Sequence, residues 1–371
     1  MIRYETPQIC CAEQGIYLQA RRHTGGVLLL VAGAAITAVF LLKGLDPVRS
    51  AKKLPFGAAA NYEFTGDGFL YASEQTLYYY NLDDDAKNYS VQLPSQDVRL
   101  MGSPSLAGVY NEQAVQIIGM DFPIEFSGKL LAGKCGETHV AVLKDDSGQG
   151  VLQVFDGTTG KQVQQIAQTA PLVDFGFFSG ASQTLWTLEM NDSASLPLSI
   201  ISTYDLTNAR TTGVMSVQNQ LVDKVLFSAE SIFVVGTNHI IRYDMVGKNE
   251  SYRAMVYGWE YCDDSPSGGK RVFLLTPRGS SGWGTARLVT LADAADASLS
   301  TATVQLPADT LNAFLAGGQL YAFTADTLSV FSQSGKLVQK SGFDEAITGA
   351  VKLSENRILL IRDGELYLMT L

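Results

Sequence analysis

The chain has 371 residues, 46% of them hydrophobic, and a formal net charge of -10. This is long enough for one large or two ordinary domains and too apolar for a disordered polymer. The acidic balance argues against nucleic acid and against broad contact with anionic lipid, because both need basic patches.

Residues 1–23 form a short polar tail with Arg3, Arg21, Arg22 and His23, too small for a core of its own. Cys10 and Cys11 lie in it and read as reduced thiols or acylation sites. Thr24 to Leu42 is an uncharged run of 19 residues. As a helix it would extend roughly 28 Å, close to the ~30 Å hydrocarbon core of a bilayer. It is longer than the ~7–15-residue apolar region of a signal peptide, and no small-x-small cleavage pattern follows it. The expectation is one transmembrane helix over 24–42, with a basic stalk over 43–54 that carries Lys43, Arg49, Lys52 and Lys53. Basic residues flank the span on both sides, so the charge rule barely orients it. A short tail before one long trailing domain favours a cytoplasmic N-terminus and an extracytoplasmic body.

From residue 55 onward one pattern recurs. An apolar or aromatic strand runs into a small or polar residue and then a turn, as in Val151-Leu152-Gln153-Val154-Phe155-Asp156-Gly157. Asp and Gly suit such a turn because they bond their own backbone or tolerate positive φ. Aligned on Asp156, the strand ends fall at Asn81, Gly119, Asp156, Asp205, Asp244, Ala292, Ser332 and Met369. Their spacing, 37 to 49 residues, brackets the ~40–45-residue period of a four-stranded propeller blade. The two long intervals are assigned to extra loops at Asn191 to Pro197, at Ser265 to Gly269 and at Gly279 to Gly284. The Thr138 to Leu143 strand is expected to reach the next one through a turn spanning Lys144 to Gly150. No stretch after residue 60 has helical periodicity. The prediction is an all-β, eight-bladed propeller over 55–371, with seven blades as the alternative. The eighth copy ends at its third strand, so its outer strand is expected from Leu54 to Ala60, which would join the two ends of the ring. The body carries 20 basic and 34 acidic residues.

Few residues suggest chemistry. The body holds two histidines, His139 and His239, each beside branched apolar residues, and both read as structural. Neither a GxSxG elbow nor a P-loop occurs. Cys135 and Cys262 lie three repeats apart and are expected unpaired; no metal-binding spacing is present. Asp83-Asp84-Asp85 lacks the Gly and distal Glu of a calcium loop and reads as a solvated turn. Neither a cofactor nor a metal is expected. Two features point to partner contact. The Gly- and Ser-rich tip Arg278 to Thr285 presents Trp283, with packing on its own blade as the competing reading. Asp263 and Asp264, near the start of a repeat, are placed on an inner strand where they line a channel mouth.

The stretch Val154-Phe155-Asp156-Gly157-Thr158-Thr159-Gly160-Lys161 resembles the repeat of quinoprotein-like propellers. Phe331-Ser332-Gln333-Ser334-Gly335-Lys336 and Tyr204-Asp205-Leu206-Thr207-Asn208 are looser copies. One span followed by a ring also resembles membrane-anchored bacterial propellers of unknown function. The quinone-dependent dehydrogenases of that superfamily carry adjacent cysteines, a calcium site and a stacking Trp inside the ring. Here the adjacent pair, Cys10-Cys11, precedes the span, and no residue of that set can be carried over. The Trp-Asp dipeptide of WD repeats is missing as well. The expected role is therefore a non-enzymatic binding or scaffolding module for protein or cell-envelope partners. The alternative is an envelope hydrolase or lyase with its site at the central channel.

Overall fold

The computed structural model describes residues 51–371 except 94, 179–182, 192–195 and 295–298. The expected tail, the span over 24–42 and most of the stalk lie outside the described residues. Among those described there is no helix long and apolar enough to cross a membrane.

The body is all-β and forms eight sheets of four strands each. Within a sheet the strands follow one another antiparallel in chain order, from an inner strand to an outer one. Blades 1 to 7 run over 61–92, 99–125, 129–167, 172–218, 222–255, 259–305 and 312–342; blade 8 takes its first three strands from 349–370. Every strand end used to count the repeat lies within two residues of the end of a third strand. Eight blades, not seven, are present.

The eighth blade takes its outer strand from the other end of the body. Ala51–Gly57 pairs antiparallel with Glu365–Thr370, matching Ala51 to Met369 and Lys53 to Tyr367. The closing strand thus begins three residues before the expected Leu54 and takes in the last residues of the expected stalk. Its burial explains the placement: Leu54 and Phe56 are buried against Phe69 of blade 1 and Leu359 and Leu366 of blade 8.

That contact is one of eight of its kind. Each neighbouring pair of blades shares one apolar core, from blades 1 and 2 round to blades 8 and 1. A middle strand is therefore covered on both faces, which is why Ser231–Gly236 is buried at every residue. Outer strands are covered on one face and alternate, as Arg210–Gln218 does. Buried polar groups add bonds across the same seams. The guanidinium of Arg242 in blade 5 donates to the carbonyls of Ala292 and Ala294 in blade 6. The Glu189 carboxylate of blade 4 accepts from the amides of Thr169 and Ala170 at 2.8 and 2.9 Å.

The turn that carries the repeat is built as the residues imply. Asp156 accepts from the Thr159 amide at 2.7 Å, the Thr159 hydroxyl at 2.8 Å and the Thr158 amide at 3.0 Å. Gly160 follows with φ +66°. Asp205 and Asp244 hold the matching turns of blades 4 and 5. Two loop assignments change. The strands flanking the expected Lys144–Gly150 turn pair as far as Asp146 with Gln149, leaving only Ser147 and Gly148 in the turn. Both have positive φ, which matches the twist of a tight hairpin. Ser265 and Pro266 belong to the inner strand Trp259–Pro266, so the extra length of blade 6 lies in its eight-residue strands and the 278–284 loop.

Because the strands are antiparallel, loops sort onto two faces. One face, here called the crossover face, bears the loops between blades and those between second and third strands. The opposite face bears the other turns, and Ala51 enters the ring there.

Two outcomes test this packing. Phe56→Ala should cost about 3 kcal/mol through the lost ring and the cavity it leaves, read as a lower denaturant midpoint at unchanged slope. The Thr159 amide and hydroxyl hold the Asp156 carboxyl below its ordinary value of 3.8. A depressed folded-state value means this contribution is present above pH 3.8 and is lost as pH falls below it. The stability gap between the native chain and Asp156→Ala should therefore be full at neutral pH and shrink below pH 3.8.

Candidate functional site: the channel and the crossover face

The eight inner strands surround the ring axis. A cavity of about 400 Å³ opens among them, lined by Phe177, Trp186 and Phe227 on one side and by Asp263, Asp264 and Lys352 on the other. Asp263 and Asp264 do line the channel, on the inner strand of blade 6. Their surroundings decide what they can do there.

Asp263 accepts from the Leu315 amide of blade 7 at 2.8 Å and pairs with Lys352 of blade 8 at 3.2 Å. Lys352 also donates to the Asp264 carbonyl at 2.7 Å and pairs with Glu355 at 3.0 Å. Glu355 in turn accepts from the Ser265 hydroxyl and from the Gly317 amide of blade 7. Asp264 accepts from the Tyr261 hydroxyl at 2.6 Å and pairs with Arg271. Arg271 reaches back to the Phe227 carbonyl of blade 5 at 2.8 Å. The two carboxylates thus form a latch that joins blades 5, 6, 7 and 8. Their side chains are only 20% and 12% exposed, so they bond the ring to itself. Burial pushes the Asp263 carboxyl up, against the pull of Lys352. Burial likewise pushes the Tyr261 phenol well above its ordinary range, with the Asp264 charge adding to it.

A second latch ties blade 3 to blade 4, where Lys134 pairs with Asp174 at 2.7 Å and lies over the Phe175 ring. Close by, burial pushes the Cys135 thiol up to about 12, with Glu63 adding to the shift. A thiol so held is a poor nucleophile at neutral pH. Cys135 and Cys262 are both free thiols. His139 is buried, and burial lowers its pKa. Asp83 of blade 1 pairs with Arg357 of blade 8 at 2.8 Å, and Asp84 caps the short turn that follows. Among the described residues no three of His, Cys, Asp and Glu gather as a metal would require.

Trp283 is half-buried and packs on the core shared by blades 6 and 7. The exposed apolar side chains of its face are different ones. Tyr257 and Met255 are each 75% exposed, and Leu196 and Leu221 are exposed on other turns of the same face. Sequence inspection missed all four, since single apolar residues at strand ends carry no periodic signal. Asp223 and Glu260 lie close by, and burial raises the Asp223 carboxyl, with Arg278 opposing and Glu260 adding.

No family model matches the chain. No curated protein sequence matches it either. Solved structures do match in fold. BamB from Moraxella catarrhalis is 13% identical with a TM-score of 0.53, over 87% of this chain and 100% of that one. The WD40 domain of SCAP from fission yeast is 8% identical with a TM-score of 0.59, over 87% and 98%. The computationally designed Ika8 protein is 10% identical with a TM-score of 0.57, over 87% and 100%. At these identities the likeness establishes the propeller and nothing finer.

If the channel carboxylates are structural, removing one partner should harm stability. Lys352→Met is expected to cost about 2–3 kcal/mol by leaving Asp263 half-buried and unpaired. Combining it with Asp263→Asn should recover part of that loss, with a coupling of about 1 kcal/mol or more in a double-mutant cycle.

Proposed function

We propose that the protein is a membrane-tethered, non-enzymatic binding or scaffolding module, displaying its ring to protein or cell-envelope partners on the extracytoplasmic side. The observation that carries this reading is the fate of the channel charges. Asp263, Asp264, Arg271, Lys352 and Glu355 are bonded from blade to blade rather than presented to a substrate. A ring so braced is stiff and offers its loops as contact surface with little entropy to lose on binding.

The tether rests on the apolar run 24–42. Eight residues, 43–50, separate it from the closing strand, a reach of at most about 28 Å if extended. Because Ala51 joins the ring on the face opposite the crossover loops, a ring tethered in this way turns its crossover face away from the bilayer. The Trp283 loop, with Arg278 and Ser280, lies on that outward face.

Sidedness has a direct test. Ser280→Cys should react with a membrane-impermeant maleimide in intact cells, whereas Cys10 and Cys11 should react only after permeabilisation. The reverse pattern would place the ring inside. Turnover of a soluble substrate by the purified chain, lost on substitution in the channel, would overturn the non-enzymatic reading.

A further inference from the structure

This inference rests on the binding reading above and narrows it to one place and one partner chemistry. On the crossover face, the loops of blades 4, 5 and 6 are laced together. The Pro197 carbonyl accepts from the Asn219 amide at 3.2 Å, and the Leu221 carbonyl accepts from the Thr237 amide at 2.9 Å. The Asn238 carbonyl accepts from the Val256 amide at 2.8 Å, and the Gly258 carbonyl accepts from the Arg278 amide at 3.0 Å. The Arg278 guanidinium closes the series on the Thr237 carbonyl at 3.0 Å. Leu196, Leu221 and Tyr257 therefore stand in one bonded series of turns, with the Thr237–Asn238 turn linking those of Leu221 and Tyr257. They are 55%, 45% and 75% exposed, and Met255 adjoins them at 75%. A hydrophobic ridge on loops already fixed in place is a surface that binding need not order.

Charge selects the occupant. Asp223 and Glu260 follow Leu221 and Tyr257 by two and three residues at the starts of their inner strands and are partly open to solvent. Among the described residues, Arg278 is the one Lys or Arg in the loops of this face, whereas Asp97, Glu112, Asp309, Asp326, Asp344 and Glu345 all sit in them. The opposite face offsets its acids with Lys87, Lys161, Lys248 and Lys336 in its turns. We propose that the Leu196–Leu221–Tyr257 ridge docks a segment of a partner protein that combines apolar side chains with Lys or Arg. The apolar side chains would cover the ridge while the cations meet the surrounding carboxylates, which favours encounter and register. A second copy of this chain presents the same acidic face and is repelled. An anionic bilayer is disfavoured for the same reason.

The test uses the full chain in detergent and three short labelled synthetic peptides read by fluorescence anisotropy. One peptide is apolar and basic, one apolar and acidic, one polar and basic. The apolar basic peptide should bind ~10-fold or more tightly than either other, and Leu221→Ser/Tyr257→Ser should remove that advantage. Leu337→Ser/Val338→Ser on the exposed outer strand of blade 7 should leave it intact. Unchanged unfolding midpoints confirm that both variants fold. Equal binding of the three peptides, equal loss in both variants, or self-association of the chain would each overturn the assignment. Capture of one specific membrane partner that survives the ridge substitutions would sink this site while leaving the scaffold reading in place.

Discussion

The structure depends on one constraint: a four-stranded sheet with two apolar faces cannot stand alone, so each blade is covered by the next. Eight shared cores result, and the series has no free end only because Ala51–Gly57 joins the last blade. Leu54 and Phe56 contribute to the same core as Phe69, so the closing strand seals the seam between blades 8 and 1 as well as the edge of its own sheet. An unpaired third strand would otherwise expose a row of unsatisfied amides and carbonyls.

From this constraint follows the division of labour among charges. Ionised side chains near the axis are half-buried and must be paired to be tolerated. Near the axis such pairs join one blade to another, Lys134 with Asp174 and Lys352 with Asp263. The loops bear no such requirement. They keep solvated carboxylates and a few exposed apolar side chains.

The blade count was legible because the turns after the third strands of blades 1, 3, 4, 5 and 7 begin with a residue that bonds nearby backbone. Asp156, Asp205 and Asp244 recur for that reason. Strand limits were less legible: Lys144 to Gly150 looks like a loop by composition, yet pairing continues to Asp146 and Gln149. The closing strand was placed three residues late because Lys52 and Lys53 resemble a stalk, although their exposed side chains suit an outer strand. Asp263 and Asp264 lie on an inner strand, but the partners of Asp263 are in blades 7 and 8, and Lys352 is 89 residues from Asp263. No local pattern reports such a pairing. Trp283 reads as a loose tip among glycines and serines; the neighbouring blade's core, invisible in the local sequence, half-buries it.

The central claim is a ring closed by its own N-terminal strand and rigid enough to present a fixed face. Native-state hydrogen exchange of the full chain tests it most directly. The account predicts that amides of Ala51–Gly57 are protected and open together with those of Glu365–Thr370, as one cooperative unit. Rapid exchange of 51–57 while Ser231–Gly236 stays protected would contradict it, for the ring would then be open.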